Sequence, residues 1–411
     1  MKRIVSVCLA LTLLMAAPLP ALADSGDGAV LAAGQLATEY SSGDLLEPLE
    51  ASTVPAGELG DIRAKSAVLI EKSTGRILYE HNAHERLAPA SITKIMSLLL
   101  VMEAIEAGQF TYDTMVSASE YACSMGGSQI WLEPGEQMSV HDLLKAAAVA
   151  SANDATVALG ELVSGSETAF VARMNERAAQ LGMKDTTFVN ASGLDADGHL
   201  TSAYDIALAS CALLGHEKIK EYSTVWMDTL RDGKSELVNT NKLVKFYDGA
   251  TGLKTGTTSG AGHCLSASAM REGMELVAVV MGCESSKDRF NSARTLLDYG
   301  FANWSLGRVT PDVSALEPVC VTGGTAQQVK IAAAGTASYL VGKGRAGDIV
   351  QTVQLPESLA APVYADQPVG EIVLTLDGET LGHIPLHAAE TVEVLTIFGA
   401  FSRLLASLFA L

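Results

Sequence analysis

Ser91 and Lys94 stand three residues apart in Ala88-Pro89-Ala90-Ser91-Ile92-Thr93-Lys94. On a helix that spacing puts both side chains on one face, one turn apart. Pro89 suits a first helical turn, where its missing N–H costs nothing. Ile95-Met96-Ser97-Leu98-Leu99-Leu100 follows, apolar almost all round, so the helix belongs inside a domain and runs to about Ala107. Burial disfavours the charged form of a lysine. A neutral amine beside a hydroxyl can take its proton and make a nucleophile. Ser91 also lies near the helix N-terminus, where unpaired N–H groups favour developing negative charge. The chemistry is nucleophilic acyl transfer, although the same pair also occurs on the surface of many helices.

Two further polar signals follow. Ser151-Ala152-Asn153-Asp154 interrupts an apolar stretch and separates helices expected over Leu143–Ala150 and Ala155–Val163. Small polar residues of this kind cap helices. The alternative is that Ser151 and Asn153 point from the break into a cleft. Lys254-Thr255-Gly256 lies in a short strand-like stretch, Gly252 to Thr258.

The elements that must position these residues change period along the chain. Ala67–Glu71 and Arg76–Glu80 read as a hairpin through Ser73-Thr74-Gly75. Glu167–Leu181 reads as a helix ended by Gly182, and Ser202–Leu214 as a helix opened by a Ser202-x-x-Asp205 capping box. Phe188–Leu194 and His199–Thr201 are loop-like. Gly262–Met270 and Met274–Gly282 form a β-hairpin, and Lys287–Trp304 returns to helix. Strands at both ends with helices between them predict an α+β fold with an antiparallel sheet. After about Gly307 short apolar runs separated by turn residues mark strands: Pro318–Val321, Val329–Ala332, Ile349–Leu355, and a hairpin of Gly370–Leu376 and Leu381–Leu386 around Asp377-Gly378. This is a small all-β domain. His383 and His387 read as surface residues in it.

The N-terminus carries Lys2 and Arg3, an apolar core from Ile4 to Met15 and Ala21-Leu22-Ala23, the pattern of a secretory leader over residues 1–23. Residues 24–60 show no period and read as a linker. The expected organisation is then a catalytic domain over 61–305, the β-rich domain over 306–390, and a tail over 391–411. From Val394 the tail's only charge is Arg403, and its 18 residues would span about 27 Å as a helix. That is marginal for crossing a bilayer. A helix lying in the interface or dipping into the bilayer fits its position at the end of an exported chain; a docked core helix is the alternative. The expected location is the outer face of the cytoplasmic membrane.

The whole chain has 47 acidic and 28 basic residues. The leader carries two of the basic ones, so the mature chain keeps 26 and has a net charge of −21. That excludes nucleic acid as a partner. Cys123, Cys211, Cys264, Cys283 and Cys320 remain after the leader, an odd and widely spaced set that is neither a disulfide framework nor a zinc site. No metal or other cofactor is expected.

Ser91-Ile-Thr-Lys94, Ser151-Ala-Asn153 and Lys254-Thr-Gly256 occur in that order, 60 and 103 residues apart. The trio resembles the Ser-x-x-Lys, Ser-Asp-Asn and Lys-Thr-Gly motifs of class A β-lactamases and penicillin-binding proteins. The chain is similar, from about residue 61 onward, to the low-molecular-weight penicillin-binding proteins of the peptidase S11 family, the serine D-alanyl-D-alanine carboxypeptidases. The likeness includes Phe188-Val-Asn-Ala-Ser-Gly-Leu194 with His199-x-Thr201, the trailing β-domain and the apolar tail. Ser151-Ala-Asn153 departs from the family's Ser-Asp-Asn at its middle residue.

The resemblance implies a β-lactamase/transpeptidase-like catalytic domain and a set of roles. Ser91 attacks the carbonyl between two D-alanines of a peptidoglycan stem peptide, and Lys94 accepts its proton. The backbone N–H groups of Ser91 and Thr257 hold the oxyanion. Ser151 relays a proton to the departing D-alanine. Asn153 holds the substrate amide and orients Lys94. Lys254 supplies positive potential, Thr255 hydrogen-bonds the terminal carboxylate, and Gly256 lets the substrate backbone lie close. Arg289 matches the family's carboxylate-binding arginine; the alternative is a solvated cation at a helix start. β-Lactams would act as inhibitors. A β-lactamase is disfavoured because no Glu-x-x-Leu-Asn lies between Asn153 and Lys254. A catalytically silent wall-binding module is disfavoured by three intact motifs. A D-alanyl endopeptidase has the same chemistry and stays open.

Overall fold

The computed structural model describes residues 58–402 except 312, 314, 315 and 334. The leader, most of the linker and the last nine residues of the tail lie outside the described residues.

Five antiparallel strands make the main sheet, in the order Ile77–His81, Ser66–Glu71, Met274–Cys283, Gly262–Arg271 and Ala250–Thr258. The central strand, Met274–Cys283, is buried along its whole length. Its side chains alternate between two cores. Val277, Val279 and Met281 face one, and Leu276, Ala278 and Val280 the other. Ser66–Glu71 divides in the same way, with Val68 and Ile70 opposite Ala67 and Leu69. A strand covered on both faces reads as a continuous apolar run, which is what the sequence shows here.

The first core holds the helices Lys94–Glu106, Val140–Val149, Asn153–Ser164, Glu167–Gln180 and Ala203–Leu213. Lys94–Glu106 is at its centre, with ten of its 13 residues buried. The second core is closed by the helix Ser286–Asn303 through Phe290, Leu296, Leu297 and Phe301. This is the α+β fold with an antiparallel sheet that the sequence predicts. Half of the Ser202-x-x-Asp205 box forms. Ser202 Oγ accepts the Asp205 N–H at 3.2 Å, but the Asp205 carboxylate turns to the Asp185 N–H at 2.8 Å.

The β-rich region has its own core, built on Val329, Leu374, Ile384 and Leu386 among others. Its hairpin Pro368–Leu376/Glu379–Ala388 turns at Asp377 (φ 53°) and Gly378 (φ 84°), two left-handed residues as a tight Asp-Gly turn requires. Val329–Ala332, expected as one strand, is split. Gln328–Val329 pairs with Val319–Thr322, while Ile331–Ala333 pairs with Glu379–Ala388. Three strands were not legible: Trp304–Val309, Ala337–Gly342 and Ser358–Ala360. Trp304–Val309 continues straight from the Ser286–Asn303 helix and pairs with Ala337–Gly342, so it runs across the boundary expected at 305/306. Residues 392–395 also belong to this region rather than to the tail. Val392 pairs with Val363 and is buried, and the Leu395 N–H donates to Gly323 O at 2.8 Å.

Beyond them 397–402 is helical, with Ile397 92%, Phe398 83% and Phe401 58% exposed. Among the described residues no helix is long and apolar enough to cross a membrane. The five cysteines among the described residues are unpaired. Burial pushes the Cys264 thiol up to about 12, which makes it inert.

Candidate active site

The first motif begins with a tight turn. Ala90–Thr93 is a single 3-10 turn that runs into the Lys94–Glu106 helix. Ala90 sits at φ 49°, a left-handed conformation unusual for a residue with a side chain. Thr93 Oγ1 donates to Ala90 O at 2.9 Å and holds the turn. Ser91 is partly exposed at its end, and Lys94, one turn on, is fully buried.

Lys94 Nζ has three oxygen neighbours. Ser91 Oγ is 3.0 Å away, Asn153 Oδ1 2.5 Å and Ser192 O 2.7 Å. The amide orientation of Asn153 is fixed, because its Nδ2 donates to Gly126 O at 2.6 Å and a carbonyl can only accept. Asn153 Oδ1 and Ser192 O are therefore both acceptors facing the amine. A neutral amine has two N–H groups and one lone pair. The two acceptors take the N–H groups and leave the lone pair toward the Ser91 hydroxyl. That arrangement would let a neutral Lys94 take the Ser91 proton.

The second motif occupies the break between the helices Val140–Val149 and Asn153–Ser164. The capping reading is corrected here. The N-cap position is Ala152, with no side-chain cap, and Asn153 spends its amide on Lys94 and Gly126. Ser151, at φ 64°, is fully buried, and its Oγ has no hydrogen-bond partner among the described residues. The segment Gly126–Leu132 is strapped across this break. The Asn153 N–H donates to Ser128 O at 2.7 Å, and the Asp154 carboxylate accepts the Ile130 and Leu132 N–H groups at 3.1 and 3.0 Å. Burial raises the Asp154 carboxyl despite these amide donors. From outside, Arg231 Nη1 donates to Ile130 O at 2.9 Å.

The third motif lies on the edge strand Ala250–Thr258. A Cβ on Gly256 would stand 2.8 Å from the Ser91 nitrogen and 3.0 Å from Ala90 Cβ. The absent side chain thus lets this strand pack directly on the nucleophile turn, a closer demand than the substrate contact expected of it. Lys254 is buried, its Nζ donating to Thr255 O at 3.1 Å. Thr255 is committed within the protein. Its hydroxyl is fully buried and donates to Thr240 Oγ1 at 2.6 Å, so a carboxylate would first have to displace that bond.

For Arg289 only the alternative reading, a solvated cation at a helix start, is overturned. The residue is fully buried rather than solvated. Its Nη1 donates to Gly256 O and Thr257 Oγ1, both at 3.0 Å, and to Cys264 O at 3.3 Å. In a trans peptide the C=O and the next N–H point opposite ways. Arg289 on Gly256 O therefore turns the Thr257 N–H to the other side of the strand.

A fourth wall comes from the Phe188–Leu194 segment, which the resemblance included but to which no role was assigned. The loop Val189–Leu194 supplies Ser192 O to Lys94, and a carbonyl is the same for any residue type. The loop is built by Asn190, whose Oδ1 accepts the Gly193 N–H at 2.7 Å and whose Nδ2 donates to Leu194 O at 2.8 Å. Gly193 presses on Ala90 so closely that a Cβ would stand 1.9 Å from Ala90 O. Asp195 continues the wall and accepts the Thr258 hydroxyl at 2.6 Å. Thr93, Asp154, Thr240 and Arg231 were likewise not singled out in the sequence.

The profile of the D-alanyl-D-alanine carboxypeptidase family matches residues 50–285. The chain belongs to this family. It is a serine-type D-Ala-D-Ala carboxypeptidase. The C-terminal domain of penicillin-binding protein 5 matches residues 312–394. The chain is 43% identical to the D-alanyl-D-alanine carboxypeptidase DacF of Bacillus subtilis, over 80% of this chain and 86% of that one. It is 33% identical to DacA of Escherichia coli, over 89% and 92%. The crystal structure of penicillin binding protein 5 from Haemophilus influenzae superposes with a TM-score of 0.70 at 31% identity, covering 84% of this chain and 100% of that one. Penicillin-binding protein D2 of Listeria monocytogenes, solved in an ampicillin-bound form, gives 0.51 at 33% identity, over 58% and 98%.

Two outcomes follow from the packing. Gly193→Ala, which forces a Cβ into a backbone carbonyl, is expected to lower Tm and to slow acylation by penicillin at least about 100-fold, the scale set by a 1 Å misplacement. Gly182→Ala has an equally left-handed backbone (φ 78°) but nothing within 4 Å; it should cost about 1–2 kcal/mol of strain and leave acylation unchanged. Thermal melts and a penicillin-acylation time course on both variants check this. The second outcome concerns His199, which burial holds down at about 4 from an ordinary 6.5. A lowered folded value means that the unfolded chain binds the proton first. The stability is therefore full above pH 6.5 and is lost as pH falls toward 4, by up to about 3 kcal/mol. Urea midpoints between pH 7.5 and 4.5 should fall less steeply in His199→Gln than in the parent; equal slopes would remove His199 from the account.

Proposed function

We propose that the enzyme removes the terminal D-alanine from peptidoglycan stem peptides through an acyl-enzyme on Ser91. The observation that carries this is Lys94 Nζ, held against two acceptors with the Ser91 hydroxyl at 3.0 Å. Lys94 takes the Ser91 proton as Ser91 Oγ attacks the carbonyl between the two D-alanines. The tetrahedral oxygen is received by the N–H groups of Ser91 and Thr257, each such donor worth roughly 3 kcal/mol of barrier. Gly256 keeps the space between strand and turn clear, and Arg289 sets the Thr257 N–H. The C–N bond breaks, and Ser151 passes the proton from Lys94 to the departing amine. Asn153 keeps Lys94 in place through Oδ1 and offers the second N–H of its Nδ2 to the substrate. Lys254 and Arg289, both buried, give the positive potential that a terminal carboxylate needs; Thr255 joins them only if it leaves Thr240. Water then adds to the ester, releasing the shortened stem and restoring Ser91.

β-Lactams acylate the same serine in this reading, with slow release. D-Alanine release from a diacyl-L-Lys-D-Ala-D-Ala peptide should fall at least about 1,000-fold in Ser91→Ala and in Lys94→Ala. The parent should form a one-to-one penicillin adduct that Ser91→Ala lacks. A parent that makes the adduct but releases no D-alanine points to a cross-linked peptide as substrate. Fast catalytic turnover of penicillin would make it a β-lactamase instead.

We also propose that residues 1–23 direct export and that the tail holds the protein on the outer face of the cytoplasmic membrane. The support is the apolar run from Leu395 and the bare Ile397, Phe398 and Phe401 side chains, which lie outside the β-region's core. A chain ending at Leu395 keeps the 392–395 pairing. It should leave the membrane fraction while retaining its activity on small peptides; persistence in the membrane would refute the anchor.

A further inference from the structure

His199 touches no residue assigned a role in the reaction, yet both of its ring nitrogens are committed. Nδ1 accepts the Val189 N–H at 2.9 Å. Nε2 lies 2.9 Å from Thr93 Oγ1. The Thr93 hydroxyl has one proton, and it goes to Ala90 O at 2.9 Å. The ring must therefore be the donor to Thr93, which agrees with Nδ1 acting as acceptor. The result is one directed chain: Val189 N–H to the imidazole, the imidazole N–H to the Thr93 hydroxyl, and that hydroxyl to the Ala90 carbonyl. The imidazole is 2% exposed, and of the charged groups around it only Asp195 acts against its neutral form.

We propose that His199 is a positioning residue that holds the strained Ala90 turn, and through it the aim of Ser91 Oγ at Lys94 Nζ. Left-handed backbone at Ala90 persists only where its surroundings hold it there. The Val189–Leu194 loop then governs both members of the pair. It holds Lys94 directly through Ser192 O, and Ser91 indirectly through His199 and Thr93. No proton moves along the chain; its hydrogen bonds set geometry.

The proposal rests on Ser91 as the nucleophile, and the test separates the two. In the full-length protein, His199→Asn keeps an acceptor near Nδ1 but has no donor for Thr93. His199→Gln places an N–H near Nε2. Thr93→Val keeps the shape and removes the hydroxyl. The readouts are the first-order acylation rate at saturating penicillin, kcat and KM for D-alanine release, and Tm. His199→Asn and Thr93→Val should each lower kcat and the acylation rate about 10- to 100-fold with KM within about twofold. His199→Gln should recover most of the rate. The double variant His199→Asn/Thr93→Val should lose no more than either single one, because both break one chain. The proposal is overturned if Thr93→Val keeps the parent's rate. It is equally overturned if Asn and Gln lose rate alike, in step with Tm. Ser91→Ala is run beside them: a variant that is still acylated would refute the nucleophile and the proposal together, whereas an inert Ser91→Ala with a fully active Thr93→Val refutes only the role of His199.

Discussion

An amine with no exposure to solvent sits at the centre of the largest core of this molecule, and the rest of the site exists to make that tolerable. Burying a charge without partners costs many kcal/mol, and burying a polar group without hydrogen bonds costs a few. Lys94 meets neither penalty, because three oxygens from three parts of the chain converge on it. One comes from its own turn, one from the break between two helices, and one from a loop almost a hundred residues on. None of these parts is free to move without uncovering the amine. The Asn153 side chain is locked by Gly126, its backbone by Ser128, and the Gly126–Leu132 strap by the Asp154 carboxylate underneath.

The same constraint explains where the backbone is tight. The nucleophile turn is squeezed between the edge strand at Gly256 and the loop at Gly193, with no room for a side chain on either. Ala90 and Ser151 both take left-handed conformations without being glycine. Such strain collects where surrounding structure overdetermines a position. Ser151 adds a buried hydroxyl with no partner among the described residues, at a cost of about 1–3 kcal/mol. These costs are borne at one place, beside the helical core.

The sequence carried the parts of the site that depend on side-chain chemistry. Ser91, Lys94, Ser151, Asn153 and Lys254 could be picked out because each brings a hydroxyl, an amine or an amide within one of the three motifs. Ser192 O was not, since every residue has a carbonyl. Thr255 and Arg289 were read by type, but what decides their behaviour is direction. Thr255 turns its hydroxyl to Thr240, and Arg289 gives an N–H to the Gly256 carbonyl. The period of the apolar residues predicted the main helices and the central hairpin, where both cores bury long runs. It failed on Trp304–Val309 and Ala337–Gly342, which pair with each other at the junction with the β-rich region and are half-buried there. A short strand with mixed burial has no alternation to read.

In the proposed reaction the oxygens around Lys94 serve two states of the amine. Before attack, a neutral Lys94 gives N–H groups to Asn153 and Ser192 and presents its lone pair to Ser91. On attack it becomes an ammonium, and its third N–H would point back to Ser91 Oγ, by then bonded to the tetrahedral carbon. Neither state requires the surroundings to reorganise, and preorganised polar groups of this kind stabilise a charge at the moment it forms. An ammonium equally well held in both directions would also keep the proton, and the leaving amine needs it. In the proposed reaction the Ser151 hydroxyl, which has no hydrogen-bond partner among the described residues, would accept that proton from one side and donate its own to the other.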